Sequence, residues 1–222
     1  MTDPNFFSNF FVVEDPASKK AFRGHITNDI GDFGRLLRTE HLISHLDIEN
    51  LEGGNEPGDL FWNRVTEPIC VNQKVIDLFK ENNLTGWTTI PTTVKSKAGK
   101  LILDNYFALT VHGRTDVIDY LKTSIVFKQM PGGKYPYFQG LYFDPKSWDG
   151  SDIFMTREDV NGKYTAFIYV TKKFVDTFKK NKITNIKFVN FNDYELDCFI
   201  IQNGATKELR KKIDDKIRKA CA

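Results

Sequence analysis

The stretch VNQKVIDLFKENNLTGWTTI, beginning at Val71, is written again ninety-nine residues later as VTKKFVDTFKKNKITNIKFV, beginning at Val170. Aligned without gaps, the copies share Val71/Val170, Lys74/Lys173, Asp77/Asp176, Phe79/Phe178, Lys80/Lys179, Asn82/Asn181 and Thr85/Thr184. Unrelated stretches of this length share about one or two positions. Ile76/Val175, Leu84/Ile183 and Ile90/Val189 keep their character. A chain that repeats itself must build two like pieces and pack them, which constrains the fold more than any other feature.

The matched residues have physical reasons. Asn72 and Thr171 are good N-caps, since either side chain accepts a hydrogen bond from a free N–H of the first turn. Val71 with Ile76, and Val170 with Val175, stand where a hydrophobic staple forms. Val75, Ile76 and Phe79 form one apolar face, as do Phe174, Val175 and Phe178. Asn82 and Asn181 suit the left-handed residue that closes a helix. The chain then turns at Thr85-Gly86 or Thr184-Asn185 and enters a strand, so each copy is predicted to be a short helix followed by a strand. Two copies are too few for a solenoid. The expectation is an α+β fold: two related helix–strand units packed with antiparallel or mixed sheet around a shared core, plus a charged C-terminal helix. It is a single domain over 1–222, with units at about 57–125 and 140–200, an N-terminal segment 1–56 and a final helix at 205–219.

Elsewhere the pattern is plainer. FFSNFFVV and AFRGHI read as strands, and DFGRLLRTEHLISHLDI spaces Leu36, Leu37, Ile43, Leu46 and Ile48 loosely as one helical face. LEGGNEPGDL, KSKAGKL and KQMPGGKYPYFQG read as Gly/Pro loops or turns. YFALTVHGR, YTAFIYV and ELDCFIIQ read as strands. TKELRKKIDDKIRKA is a solvated helix with Leu209, Ile213 and Ile217 inward, and Asp214–Arg218 and Asp215–Lys219 as i,i+4 pairs.

Few residues invite chemistry. His41 and His45, if helical, share a face, but no third metal ligand accompanies them. His112, Arg114, Asp116 and Asp119 could be a base, an anion clamp and orienting carboxylates if the fold gathers them. Asp144, Asp149 and Asp152 surround Trp148 in FDPKSWDGSDIF; the spacing misses a calcium loop, but the turn could display Trp148 and the acids to a partner protein. Trp62 and Trp87 are weaker anchors of the same kind. Lys211, Lys212, Arg218 and Lys219 could touch nucleic acid, although interleaved acids weaken that reading. A net charge of +2 argues against a general polyanion binder. Phosphate-loop, dinucleotide and nucleophile-elbow motifs are not found. Cys70, Cys198 and Cys221 lack CxxC spacing and read as reduced thiols. The start of the chain lacks a basic n-region before its apolar residues, and 18 apolar residues never run together, so a cytoplasmic protein without a membrane span is expected.

ICVNQKVIDLFKENNLTGWTTIPTTV resembles the motif of bacterial immunity proteins of polymorphic-toxin systems, in which a capped helix leads to a Gly-aromatic pair and a strand ending near Pro. GWTTIP, GLYFD, WDGSDIF and YVTKKFVDTFKKNKITNI are similar to further pieces of that architecture, over about residues 57–192. The resemblance implies a small cytoplasmic protein that binds one cognate toxin domain and blocks it, without a cofactor and without catalytic residues. Immunity proteins against basic nucleases are often strongly acidic, which speeds encounter; this chain is not.

Overall fold

The computed structural model describes residues 5–41, 43–54, 57–96, 99, 102–157 and 166–221. In chain order the elements begin with β1 (Phe10–Glu14), β2 (Arg23–Ile26), α1 (Phe33–Leu37), β3 (Leu46–Glu52) and β4 (Leu60–Phe61). Then come β5 (Cys70–Asn72), α2 (Gln73–Glu81), β6 (Trp87–Lys95), β7 (Ile102–Val111) and β8 (Gly113–Thr115). A hairpin of β9 (Ser124–Met130) and β10 (Gly133–Gln139) leads to β11 (Ile153–Thr156), β12 (Tyr169–Thr171) and α3 (Lys172–Lys180). The last elements are β13 (Lys187–Asn190), β14 (Glu195–Asp197), α4 (Cys198–Gly204) and α5 (Lys207–Cys221). The fold is α+β, with sheets of mixed and antiparallel pairing.

Both repeat helices form for the reasons their sequences give. Asn72 accepts from Val75 N at 3.2 Å, and Thr171 accepts from Phe174 N at 3.5 Å. Both ends close with the paired bonds of a Schellman turn. Leu84 N bonds Phe79 O and Asn83 N bonds Lys80 O; Ile183 N bonds Phe178 O and Lys182 N bonds Lys179 O. The left-handed residue is one place later than the sequence suggested: Asn83 (φ 49) and Lys182 (φ 55), not Asn82 and Asn181. Those two asparagines stay at φ −94 and donate Nδ2 to Leu78 O and Thr177 O, each at 2.9 Å. Their side chains bind the last turn, and this explains why both copies hold Asn.

Each copy is larger than a helix and a strand. β5 and β6 both pair antiparallel with β7, so they are parallel to each other with one strand between them. β12 and β13 flank β1 in the same way. Each unit is a split strand–helix–strand with an inserted centre strand, and the registers coincide. Val71 lies opposite Phe107 and Val170 opposite Phe11; Ile90 opposite Ala108 and Val189 opposite Val12. The centre strand follows the first unit in the chain but precedes the second, so the two units are circular permutations of one plan. β4 beside β5 matches β11 beside β12, which equates Leu60 with Ile153 and Phe61 with Phe154.

The units grip each other reciprocally. Ile153 N bonds Thr85 O at 3.0 Å, and the matching residue of the other unit, Leu60, accepts from Asn185 Nδ2 at 3.2 Å. Gly86 is left-handed (φ 91), and a Cβ there would stand 2.0 Å from Ile153 O. Its counterpart Asn185 (φ 62) has room for a side chain and uses it. Phe79 and Phe178, equivalent residues, meet at 5.9 Å between ring centres. Around them Val13, Leu60, Val71, Leu109, Ile153 and Val170 bury a core common to both units and both helices. A second core fills the six-stranded sheet β2-β3-β6-β7-β5-β4, whose end strands meet through an Arg23–Trp62 bridge. A third, rich in Phe, lies between β1-β12-β11, the β9–β10–β14 sheet and α5.

Several local expectations are corrected. The helix at Asp32 stops after five residues, because Thr39 adopts φ 63. Leu46 and Ile48 belong to β3, whose burial alternates at period two. KQMPGGKYPYFQG is a hairpin, turning at Pro131 and Gly132 (φ 98). Pro136 is tolerated in β10 because β14 pairs only with Tyr137–Gln139, leaving the other edge open beside it. CFII is helical, because Asp197 accepts from Phe199 N and caps it. On α5 the observed partners are Asp215–Arg218 and Gln202–Asp214, not the two i,i+4 pairs. The tip of KSKAGKL and the first two residues of YTAFIYV lie outside the described residues, and β12 is a three-residue strand.

Candidate functional site

The acid-rich turn around Trp148 is built into the fold. Trp148 packs edge-on against Phe10 at 5.0 Å and also meets Phe6 and Phe154, while its Nε1 donates to Ser151 O at 3.1 Å. It is a half-buried wall of the Phe-rich core. Asp152 is buried, with 7 % of its surface exposed. Its carboxylate accepts from Thr171 Oγ1 at 2.8 Å, Thr85 N at 3.1 Å and Lys173 Nζ at 3.2 Å. Asp59, the equivalent residue, accepts from Asn72 Nδ2 at 3.1 Å and Lys74 Nζ at 2.8 Å. Each acid therefore ties a strand to the cap and first turn of a repeat helix, which gives the shared Lys74/Lys173 a reason. Asp144 and Asp149 are exposed carboxylates that order the turn: Asp144 accepts from Lys146 N, and Asp149 from Ser151 N and Arg114 N.

The His112 group is not gathered. Arg114 turns inward, donating to the carbonyls of Val111, Gly113 and Arg38; burial, and then Arg38, lower its pKa. His112 is exposed, while Asp116 and Asp119 border a different hollow near Asp144 and Leu209. His41 and His45 lie beyond the end of α1, and His45 Nε2 sits 2.9 Å from Thr93 Oγ1. Among the described residues no group of three or more His, Cys, Asp or Glu is placed to hold a metal ion. Lys212 and Arg218 on α5 pair with Glu208 and Asp215. No helix among the described residues is long and apolar enough to cross a membrane.

A further concavity lies elsewhere. A cleft of about 940 Å³ opens between the β4–β5 loop of the first unit and, in the second, the end of β1 and residues 166–168 just ahead of β12, with β2 and β3 also lining it. Four carboxylates, Glu14, Asp15, Glu52 and Glu67, line it against the guanidiniums of Arg23 and Arg64. Arg23 is held by Asp15 at 2.6 Å and Glu52 at 3.7 Å, and Glu14 by Lys187 at 2.8 Å. Glu67 uses Oε2 to accept from Ile26 N at 3.0 Å, and its pKa is raised by burial. Among the described residues Asn63 Oδ1 is buried without a hydrogen-bond partner, although its Nδ2 donates to Pro68 O at 2.7 Å. Trp62 donates to Asn185 O across the unit boundary, and Val65 stands 89 % exposed. Thr66 carries φ 76, a strained conformation for a β-branched residue, costing about 1–3 kcal/mol. The sequence did not mark this loop, because NRVTEP matches no motif; its only signal was a lone valine among polar neighbours.

Fold and site together define a duplicated α+β scaffold whose conspicuous polar clusters hold the scaffold together. Its open feature is an acid-rimmed, partly apolar cleft. Residues 61–198 match the family model described as Immunity protein 43, and the chain belongs to that family. It is an immunity protein of a toxin system, as the resemblance implied. A search of curated proteins returned no match.

Proposed function

We propose that this protein neutralises one cognate toxin domain by binding it and covering the surface the toxin works through, without chemistry of its own and without a cofactor. The whole chain acts as one domain in this reading, the two units forming a rigid platform. The family match over residues 61–198 carries the proposal. It is supported by the fate of the reactive-looking residues: Arg114 and Asp152 are consumed in backbone and cap contacts, and His112 stands apart from the acids that would orient it. Recognition needs shape and complementary charge, both of which a stiff surface supplies at low entropic cost.

The test is co-expression with the toxin domain encoded beside it. Growth should be restored, and the two chains should co-purify as a stoichiometric complex. Survival without a complex would mean that the protein acts on the toxin's target or product, and the binding proposal would be abandoned.

A further inference from the structure

Resting on that reading, we infer that the cleft between the two units is the toxin-docking surface, and that it receives a basic segment bearing a Lys or Arg. The cationic head faces Glu67 and Asn63, while the aliphatic stem lies along Trp62 and Val65.

Four observations converge on this cleft. The first is charge. The chain carries +2 overall, yet the cleft is lined by four carboxylates and two guanidiniums, and even with Lys187, which holds Glu14, the local balance is −1. One of those guanidiniums, on Arg23, is already engaged by two of the acids. A cation arriving here meets a field opposite to that of the whole molecule, as electrostatic steering requires.

The second is unsatisfied acceptor capacity. Among the described residues Asn63 Oδ1 is buried without a donor, and Glu67, which accepts from the backbone N–H groups of Ile26 and Arg64, keeps lone pairs for a further donor. A buried acceptor left unpaired costs free energy, about 1–3 kcal/mol. A ligand that brings N–H groups recovers it, and guanidinium or ammonium brings several with a matching charge. The third is apolar surface at the rim. Val65 and Leu51 are exposed large hydrophobics, and half-buried Trp62 lies below them. Lys and Arg stems cover such surface while the head stays polar.

The fourth is backbone strain. The paired units agree at caps, helix ends and strand registers, so one plan is maintained in both. In the β4–β5 connection, residues 63–69, Thr66 is held at φ 76 and Val65 stands in solvent. A strained, exposed loop carried on a regular frame is a common place for a binding site.

The experiment titrates the catalytically inactivated toxin domain encoded beside this chain into the full-length protein by calorimetry, at low and high NaCl. Val65→Arg is the principal variant, since an 89 % exposed side chain leaves folding untouched. Glu67→Gln keeps the acceptor for Ile26 N and removes the charge, and Glu81→Lys on the exposed face of α2 is the control. Val65→Arg and Glu67→Gln are each expected to weaken binding about tenfold or more, with Glu67→Gln flattening the salt dependence. Glu81→Lys should stay within about twofold. Wild-type affinity in both cleft variants overturns the docking surface while leaving neutralisation by binding intact, and so does weakening confined to an Asp144→Lys variant. Failure of the unaltered protein to bind overturns the broader reading.

Discussion

Equivalent carboxylates in the two units should differ sharply in what they contribute, and Asp152→Ala against Asp59→Ala measures it. Asp152 is the more enclosed, with 10 % of its side chain exposed against 23 % for Asp59. Truncating Asp152 strands the Thr85 N–H and the Thr171 hydroxyl, both partly buried. Each donor left without an acceptor costs about 1–3 kcal/mol. The ion pair adds little, because Lys173 is 51 % exposed and retains the carbonyl of Asn83. The sum is about 3 kcal/mol. Truncating Asp59 frees the Asn72 amide and Lys74, whose side chain is 56 % exposed and can turn to water, so about 1 kcal/mol is expected. For a chain of this size 1 kcal/mol moves Tm by about 2–4 °C, giving a fall of roughly 6–12 °C for Asp152→Ala and a few degrees for Asp59→Ala. Urea unfolding followed by tryptophan fluorescence and by circular dichroism gives both values, provided the two probes coincide. An Asp59→Ala variant that loses as much as Asp152→Ala would refute the idea that the donors stranded around Asp152 set the difference.

Two further outcomes follow from burial. Glu67 has its pKa raised by burial, so the folded state holds a proton more tightly than the unfolded chain, and its ionisation lowers stability as pH rises through the folded-state pKa. Glu67→Gln should therefore unfold at equal or higher urea than the parent at pH 7, with the advantage fading on acidification; a loss above about 1 kcal/mol at pH 7 would show that its carboxylate stabilises the fold. Burial also raises the Cys70 and Cys198 thiols to about 12, and Cys221 is exposed. A thiol reagent at neutral pH should modify Cys221 alone in the native protein and all three cysteines in denaturant, read by mass spectrometry.

How far the sequence could be read depended on where each signal lay. The repeat helices were legible because caps, staples and the closing Asn act over three or four residues. The centre strands were not: YFALT of β7 and FFVVE of β1 share only Phe107 and Phe11, and they stand on opposite sides of their helices in the chain. A gapless alignment cannot find a permuted partner. The equivalence of Asp59 and Asp152 was more accessible, since DLF and DIF lie just ahead of β5 and β12, but the linkers between differ in length. Period counting misjudged Leu46 and Ile48 because five apolar residues can suit either spacing; the left-handed turn at Thr39 decided for a strand. Trp148 was read as an anchor because sequence shows no burial, and three neighbouring acids look like an exposed turn. The cleft was hidden for a different reason: it joins loops from both units, so no single stretch describes it.

The placement of β1 has a consequence for how the molecule comes together. The first unit draws its strands from a contiguous run and can close on itself as it is made. The second waits for Phe11 to find Val170 and Asn190, partners that are synthesised long after it. Such non-local pairing raises contact order and slows the final step. Until it happens, FFVVE is a sticky, uncharged ribbon apart from its last residue, and the growing chain must keep it from its neighbours. The completed half is the natural surface on which that ribbon is held.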